Sequence, residues 1–218
     1  MKNILLAFFI LFFSLFANAG DAVVKMKYID ANIKNASVEL TWHVNATNCK
    51  MEMKYDFDGK STSSVFIPDV PSNNIFMYDV KADVKNKILF TLPVATLKGD
   101  TRFLYNKGKT KVTKEEKSIA GVSCQKVIFT TERFVCEFWV ATSLPDVSRW
   151  ANFFQSYPEL AAITDAELKG FPLASTIKDL SGKLIASYEA TSVDQSAISK
   201  EAFEVPQGYT KAEDLRRK

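Results

Sequence analysis

The sequence predicts a mainly β fold with some helix, an α+β domain built on an antiparallel sheet, and three observations carry that prediction. Polar and apolar residues alternate strictly over 38–44 and 51–57, the period-two signature of strands with one buried and one wet face. Strand-like runs then follow one another without helical spacing between them, which favours antiparallel hairpins over βαβ units. Finally, a hairpin at 122–141 is apolar on both faces and leads into aromatic residues at helical spacing, so something must cover it on each side.

Residues 1–19 precede the domain. Lys2, an apolar run over 4–16 and the small-x-small triplet Ala17-Asn18-Ala19 read as a secretory signal cleaved before Gly20. The run is shorter than the roughly 20 residues that cross a bilayer, so no stable membrane span is expected after cleavage. A single domain over 20–218, periplasmic or secreted, follows. In the full chain 28 Lys+Arg stand against 25 Asp+Glu for a net charge of +3, a balance that gives no support to nucleic-acid binding.

The first expected strand is 23–30. Val38, Leu40, Trp42 and Val44 form the apolar phase of the second, and Met51, Met53, Tyr55 and Phe57 that of the third. Asn45-Ala46-Thr47-Asn48 joins these two as a hairpin, and Asp58-Gly59 closes the third strand with turn chemistry. Shorter strands are expected at 64–67, 76–80, 88–92, 112–119 and 184–190. After the hairpin at 122–141, Ser143, Pro145 and Asp146 read as a helix start. Val147, Trp150, Phe153, Phe154 and Tyr157 recur at helical spacing over 146–157, and Pro158 ends the pattern or restarts it over 159–168.

Three cysteines, Cys49, Cys124 and Cys136, allow at most one internal disulfide in an oxidising compartment. Cys124 and Cys136 lie on the two strands of the 122–141 hairpin and are the expected pair, leaving Cys49 as a buried free thiol. The one histidine, His43, occupies a polar-phase position and reads as structural. No phosphate loop, HExxH, GxSxG or complete calcium loop occurs. The sequence therefore nominates no catalytic residue, metal ligand or cofactor, and the expectation is a protein that is not an enzyme. What it offers is apolar mass, 12 of the 17 phenylalanines once Phe8, Phe9, Phe12, Phe13 and Phe16 leave with the signal, with three tryptophans and five methionines counting Met1, which can line a cleft between a curved sheet and a helix laid across it. Trp42, Met51, Met53, Tyr55, Phe138, Trp150, Phe153 and Phe154 are the candidate lining residues.

Residues 111–210 resemble an uncharacterised bacterial envelope domain family, a domain of unknown function similar to the LolA/LolB-like lipoprotein-carrier superfamily. The residues that carry the resemblance are Ser118-Ile119-Ala120-Gly121-Val122-Ser123-Cys124-Gln125-Lys126, Glu137-Phe138-Trp139-Val140-Ala141, Gly170-Phe171-Pro172-Leu173 and Phe203-Glu204-Val205-Pro206-Gln207-Gly208-Tyr209. The resemblance implies a strongly curved antiparallel sheet, an open or half barrel, with helices covering its concave face. It implies a soluble periplasmic carrier for an apolar ligand, a lipid or a lipoprotein acyl chain. The competing reading is a non-catalytic envelope interaction or structural module whose concavity is filled core.

Overall fold

A computed structural model describes residues 20–31, 33, 36–80, 87–94 and 108–212. The expected signal, residues 1–19, lies outside them. Among the described residues twelve strands form one sheet: β1 (Ala22–Asp30), β2 (Ala36–Val44), β3 (Cys49–Phe57), β4 (Lys60–Asp69), β5 (Asn74–Asp79), β6 (Ile88–Pro93), β7 (Lys109–Ile119), β8 (Val122–Thr130), β9 (Phe134–Ala141), β10 (Phe171–Asp179), β11 (Leu184–Asp194) and β12 (Thr210–Lys211). Their order is β12-β6-β5-β4-β3-β2-β1-β11-β10-β9-β8-β7. Every neighbouring pair is antiparallel except β12 with β6. The sheet is open, with β12 and β7 at its two ends. So many strands accumulate a strong twist. Lys117 of β7 accordingly reaches Glu189 of β11, 3.7 Å away, although three strands separate the two in the sheet.

The turns follow from their residues. Asp58 and Gly59 both take positive φ, as do Ala120 and Gly121, the two-residue geometry whose twist matches paired strands. The Asn45 carboxamide accepts hydrogen bonds from the Thr47 and Asn48 amides at 2.9 and 2.7 Å. The Thr131 hydroxyl accepts from the Arg133 and Phe134 amides in the β8–β9 turn. β10 has no counterpart among the expected strands. It is buried on both faces from Phe171 to Ser175, so it lacks the alternation that marks half-exposed strands.

Two expectations are corrected. Cys124 and Cys136 form no disulfide; all three cysteines are free and buried. In the β8–β9 register Cys136 lies opposite Phe129, not Cys124. Five residues of offset along a strand correspond to about 16 Å, far beyond disulfide reach. The helix expected over 146–157 is also not formed. That stretch is a chain of turns with one 3-10 turn, Ser148–Trp150, entered where Asp146 Oδ1 accepts from the Ser148 amide at 3.0 Å. The helix among the described residues, α1 (Pro158–Asp165), begins at Pro158, the restart position. Proline fits the first helical position, where its missing N–H costs nothing. At the other end the amides of Glu167 and Leu168 bond to the carbonyls of Thr164 and Ile163, with Glu167 at φ 53, a left-handed helix stop.

Residues 142–169 leave β9 at Ala141 and re-enter the sheet at β10, lying across one face of it, here the inner face. Cover by helices is therefore slight, an eight-residue α1 set in an irregular plug. Phe138, Val140, Val127 and Ile177 pack against Ala162 and Ile163 of α1. The outer face of β4–β6 is covered by the C-terminal strap. Val65, Ile67, Tyr78 and Leu89 pack there with Val205 and Tyr209, and the Tyr78 and Tyr209 rings are 4.6 Å apart.

The plug returns through Gly170, at φ +140, where a Cβ would stand 2.5 Å from the Ala141 carbonyl oxygen. Gly170→Ala is expected to cost about 3 kcal/mol and lower Tm. Gly182→Ala, at φ +87 with nothing near its Cβ, is expected to cost only about 1 kcal/mol. Thermal unfolding of the two variants side by side checks the difference. Non-reducing mass analysis is expected to find all three thiols free after unfolding.

Candidate functional site

Trp42 stands where the plug meets the sheet. It comes from the apolar phase of β2 and pairs across strands with Val24 and Met51. Its ring lies edge-on to Phe154, Tyr157 and Phe171 at 4.8, 5.7 and 5.8 Å, within the range of favourable aromatic pairs. The Tyr157 hydroxyl donates to Met51 Sδ at 3.5 Å. Between Trp42, Met26, Tyr157, Leu160, Phe171 and Tyr188 a cavity of only about 10 Å³ remains, room for one water at most.

Of the expected lining residues, Trp42 and Met51 of the sheet and Trp150, Phe153 and Phe154 of the plug come together where the two meet and are buried. Phe138 is buried too, in the separate cluster against α1. Met53 is half-buried at the margin of the first cluster, and Tyr55 is 37% exposed. Tyr157, Phe171 and Tyr188 complete the aromatic enclosure. Phe171 and Tyr188 were hidden from sequence reasoning because each enters from a strand that contributes to the site only through long-range pairing.

Toward β6 one rung of the same face is less deeply buried. Met51, Phe66, Met77 and Phe90 are directly opposed from β3 to β6, and directly opposed residues share a face. Burial declines along this rung, from Met51 at 3% exposed through half-buried Phe66 and Met77 to Phe90 at 37%. Half-buried Leu92 and Met53 flank it. A polar pair borders it, with Ser64 Oγ donating to Asp79 Oδ1 at 2.6 Å. This strip is accessible apolar surface on the inner face. On the strap side a groove of about 330 Å³ lies among Ile67, Pro68, Phe76, Phe203 and Val205, with Asp69 and Glu204 also lining it.

The polar chemistry is sparse. Glu159, in the first turn of α1, is 1% exposed. Cys136 Sγ lies 3.6 Å from its Oε1 and 3.4 Å from Ser175 Oγ, while Oε2 has no hydrogen-bond partner. Burial raises the Glu159 carboxyl above the usual carboxylate range, against smaller opposing effects of Ser175, its own backbone amide and Cys136. Burial likewise pushes up the thiols of Cys49, Cys124 and Cys136, Cys124 to about 11, so none is an activated nucleophile. Sequence reasoning missed Glu159 because an acidic residue in a first helical turn looks like ordinary dipole compensation. Among the described residues no group of three or more His, Cys, Asp or Glu is placed to hold a metal. His43 Nε2 lies 3.3 Å from Glu52 Oε1, and Lys50 Nζ 2.9 Å from the same oxygen.

An open, almost wholly antiparallel sheet whose inner face is plugged at its centre defines a barrel-like β protein. The chain belongs to the family described as Domain of unknown function (DUF4412), which matches residues 21–209. No curated protein matches the sequence. Several solved structures are similar over most of this chain. An uncharacterized conserved protein from Thermus thermophilus is 7% identical with a TM-score of 0.49, over 89% of this chain and 91% of that one. The MucA/MucB complex of Pseudomonas aeruginosa is 13% identical with a TM-score of 0.47, over 86% of this chain and 56% of that one. A LolA superfamily protein from Nitrosomonas europaea is 8% identical with a TM-score of 0.31, over 87% of this chain and 92% of that one. The chain spans 33% of the length of PNGF-II, to which it is 13% identical over 91% of its own length with a TM-score of 0.44.

The Glu52 carboxyl is held down to about 2 from 4.5, chiefly by the His43 hydrogen bond and then by Lys50, against partial burial. A carboxyl lowered in the folded state stabilises above its unfolded value and loses that contribution as pH falls. Stability is therefore expected to decline as pH drops from 4.5 toward about 2, and Glu52→Gln is expected to flatten that decline. Urea titrations across the acid range check it.

Proposed function

We propose that this chain is an exported, non-catalytic binding protein of the bacterial periplasm that shelters an apolar chain, a lipid or lipoprotein acyl group, on the inner face of β3–β6. The observation that carries this reading is the rung Phe66–Met77–Phe90, left partly exposed beside a plug that is itself closely packed. Each methylene removed from water onto such a surface contributes about 0.8 kcal/mol. Methionine adapts to a flexible chain, and Phe66 and Phe90 supply flat contact on either side of Met77. The ligand bed is thus the strip beyond the plug, bordered by Met53 and Tyr55, with Trp42, Met51, Trp150, Phe153 and Phe154 as its packed wall. No helix of the described residues is long and apolar enough to cross a membrane.

A second reading is favoured by the cavity of about 10 Å³ under the plug. A filled interior suits an envelope interaction module that holds a protein segment on the same strip and carries no lipid.

Native mass spectrometry of protein purified from its own host, followed by displacement of a fluorescent fatty acid, separates the two. Wild type is expected to carry a lipid and bind the probe, and Met77→Glu is expected to weaken binding at least about tenfold, or 1.4 kcal/mol, with little change in Tm. An empty protein that ignores fatty acids and lipopeptides removes the carrier reading, and cross-linking to a protein partner then supports the module.

A further inference from the structure

We propose that Glu159 is a proton-controlled latch: its neutral carboxyl holds residues 142–169 against β9 and β10, and its ionisation loosens that plug from the inner face. The carboxyl sits at the interface of plug and sheet, 1% exposed, with one oxygen beside Cys136 of β9 and the other unpartnered. An ionised carboxylate with one unpaired oxygen is the costliest group to keep in such a place. The proton lost goes to solvent, and the charge follows only by the plug moving out.

The groups that face Glu159 offer no compensation. β9 presents the Cys136 thiol and β10 the Ser175 hydroxyl. β11 presents the Tyr188 phenol, and the residue before α1 presents the Tyr157 phenol. None of these is basic. Burial pushes the Cys136 thiol and both phenols well above their ordinary values, so all stay neutral while Glu159 alone titrates. The sign follows from linkage. A carboxyl raised in the closed state favours closure at low pH and releases it as pH rises above the ordinary value of 4.5. One proton per opening makes the open population grow by up to about tenfold per pH unit across that window.

The latch concerns the inner face beneath the plug and not the strip beyond it, and is tested without ligand, so its failure is distinct from a failure to bind lipid. Hydrogen exchange of the 144–165 amides in the full chain, corrected for chemical exchange, is followed from pH 4.5 to about pH 8. Wild type is expected to lose protection there as pH rises, with the strands β2 and β3 unchanged. Glu159→Gln is expected to hold protection constant, and Glu159→Met, neutral and of similar volume, serves the same comparison if the amide variant does not fold. Wild-type protection that is flat with pH overturns the latch, as does a neutral variant that loses protection in parallel with wild type.

Discussion

The constraint on which the structure depends is that an open twelve-stranded sheet cannot leave the middle of its apolar inner face in water. The chain solves this with an insertion between two adjacent strands, so that residues 142–169 depart at Ala141 and return beside it at Gly170. The exit and entry are so close that the Val147 amide bonds to the Gly170 carbonyl at 3.2 Å. Trp42 gives the plug its seat. Three aromatic rings reach it from the turn before α1, the residue preceding the helix and the first residue of β10. The burial of Val24, Leu40 and Met26 beside it follows from that seat, and each full burial of such a side chain contributes about 1.5–3 kcal/mol.

The two halves of the sheet are covered on opposite faces. On the inner side the plug protects β9, β10, β11, β1 and β2. On the outer side the strap covers β4 to β6, where the Tyr209 ring tilts against that of Tyr78, receives Lys87 over its face and donates to the Asp79 carbonyl at 3.2 Å. A strand needs one dry face to be stable and tolerates the other being half wet. β4 and β5, dried from outside, can therefore leave Phe66 and Met77 partly exposed on the inside without loss of register. The accessible strip is in this sense a consequence of where the chain spends its C-terminal residues.

Much of this architecture was legible in the residues. Strict alternation placed β2 and β3 and gave their inner faces, and Asp58-Gly59 and Asn45 to Asn48 announced their turns, because these signals are local. The two-faced apolarity of Phe134 to Ala141 foretold a cover, and the aromatic run after Asp146 supplied it. What failed was whatever depends on long-range geometry. Helical spacing of Trp150, Phe153 and Phe154 did not produce a helix, since the plug must fold back within a few residues to fill an irregular hollow. Cys124 and Cys136 shared a hairpin but not a register. Phe66, Met77 and Phe90 joined one rung only through three successive pairings, and no single stretch of sequence carries that alignment. Glu159 was invisible for the opposite reason, since its burial is set entirely by what β9 and β10 place above it.

The position of β1 has a consequence for how such a chain comes together as it emerges. β1 bonds on one side to β2, its immediate successor, and on the other to β11, which lies at residues 184–194. A polypeptide released amino end first, from a ribosome or a translocation pore, can zip β1 to β6 as a meander of neighbouring hairpins. The far rim of β1 then stays bare until almost the whole chain has followed. A bare rim of alternating apolar residues is a template for other chains, and the delay makes contacts of high sequence separation the slow event. The last strands to arrive thus set the time during which the nascent protein is open to mispairing.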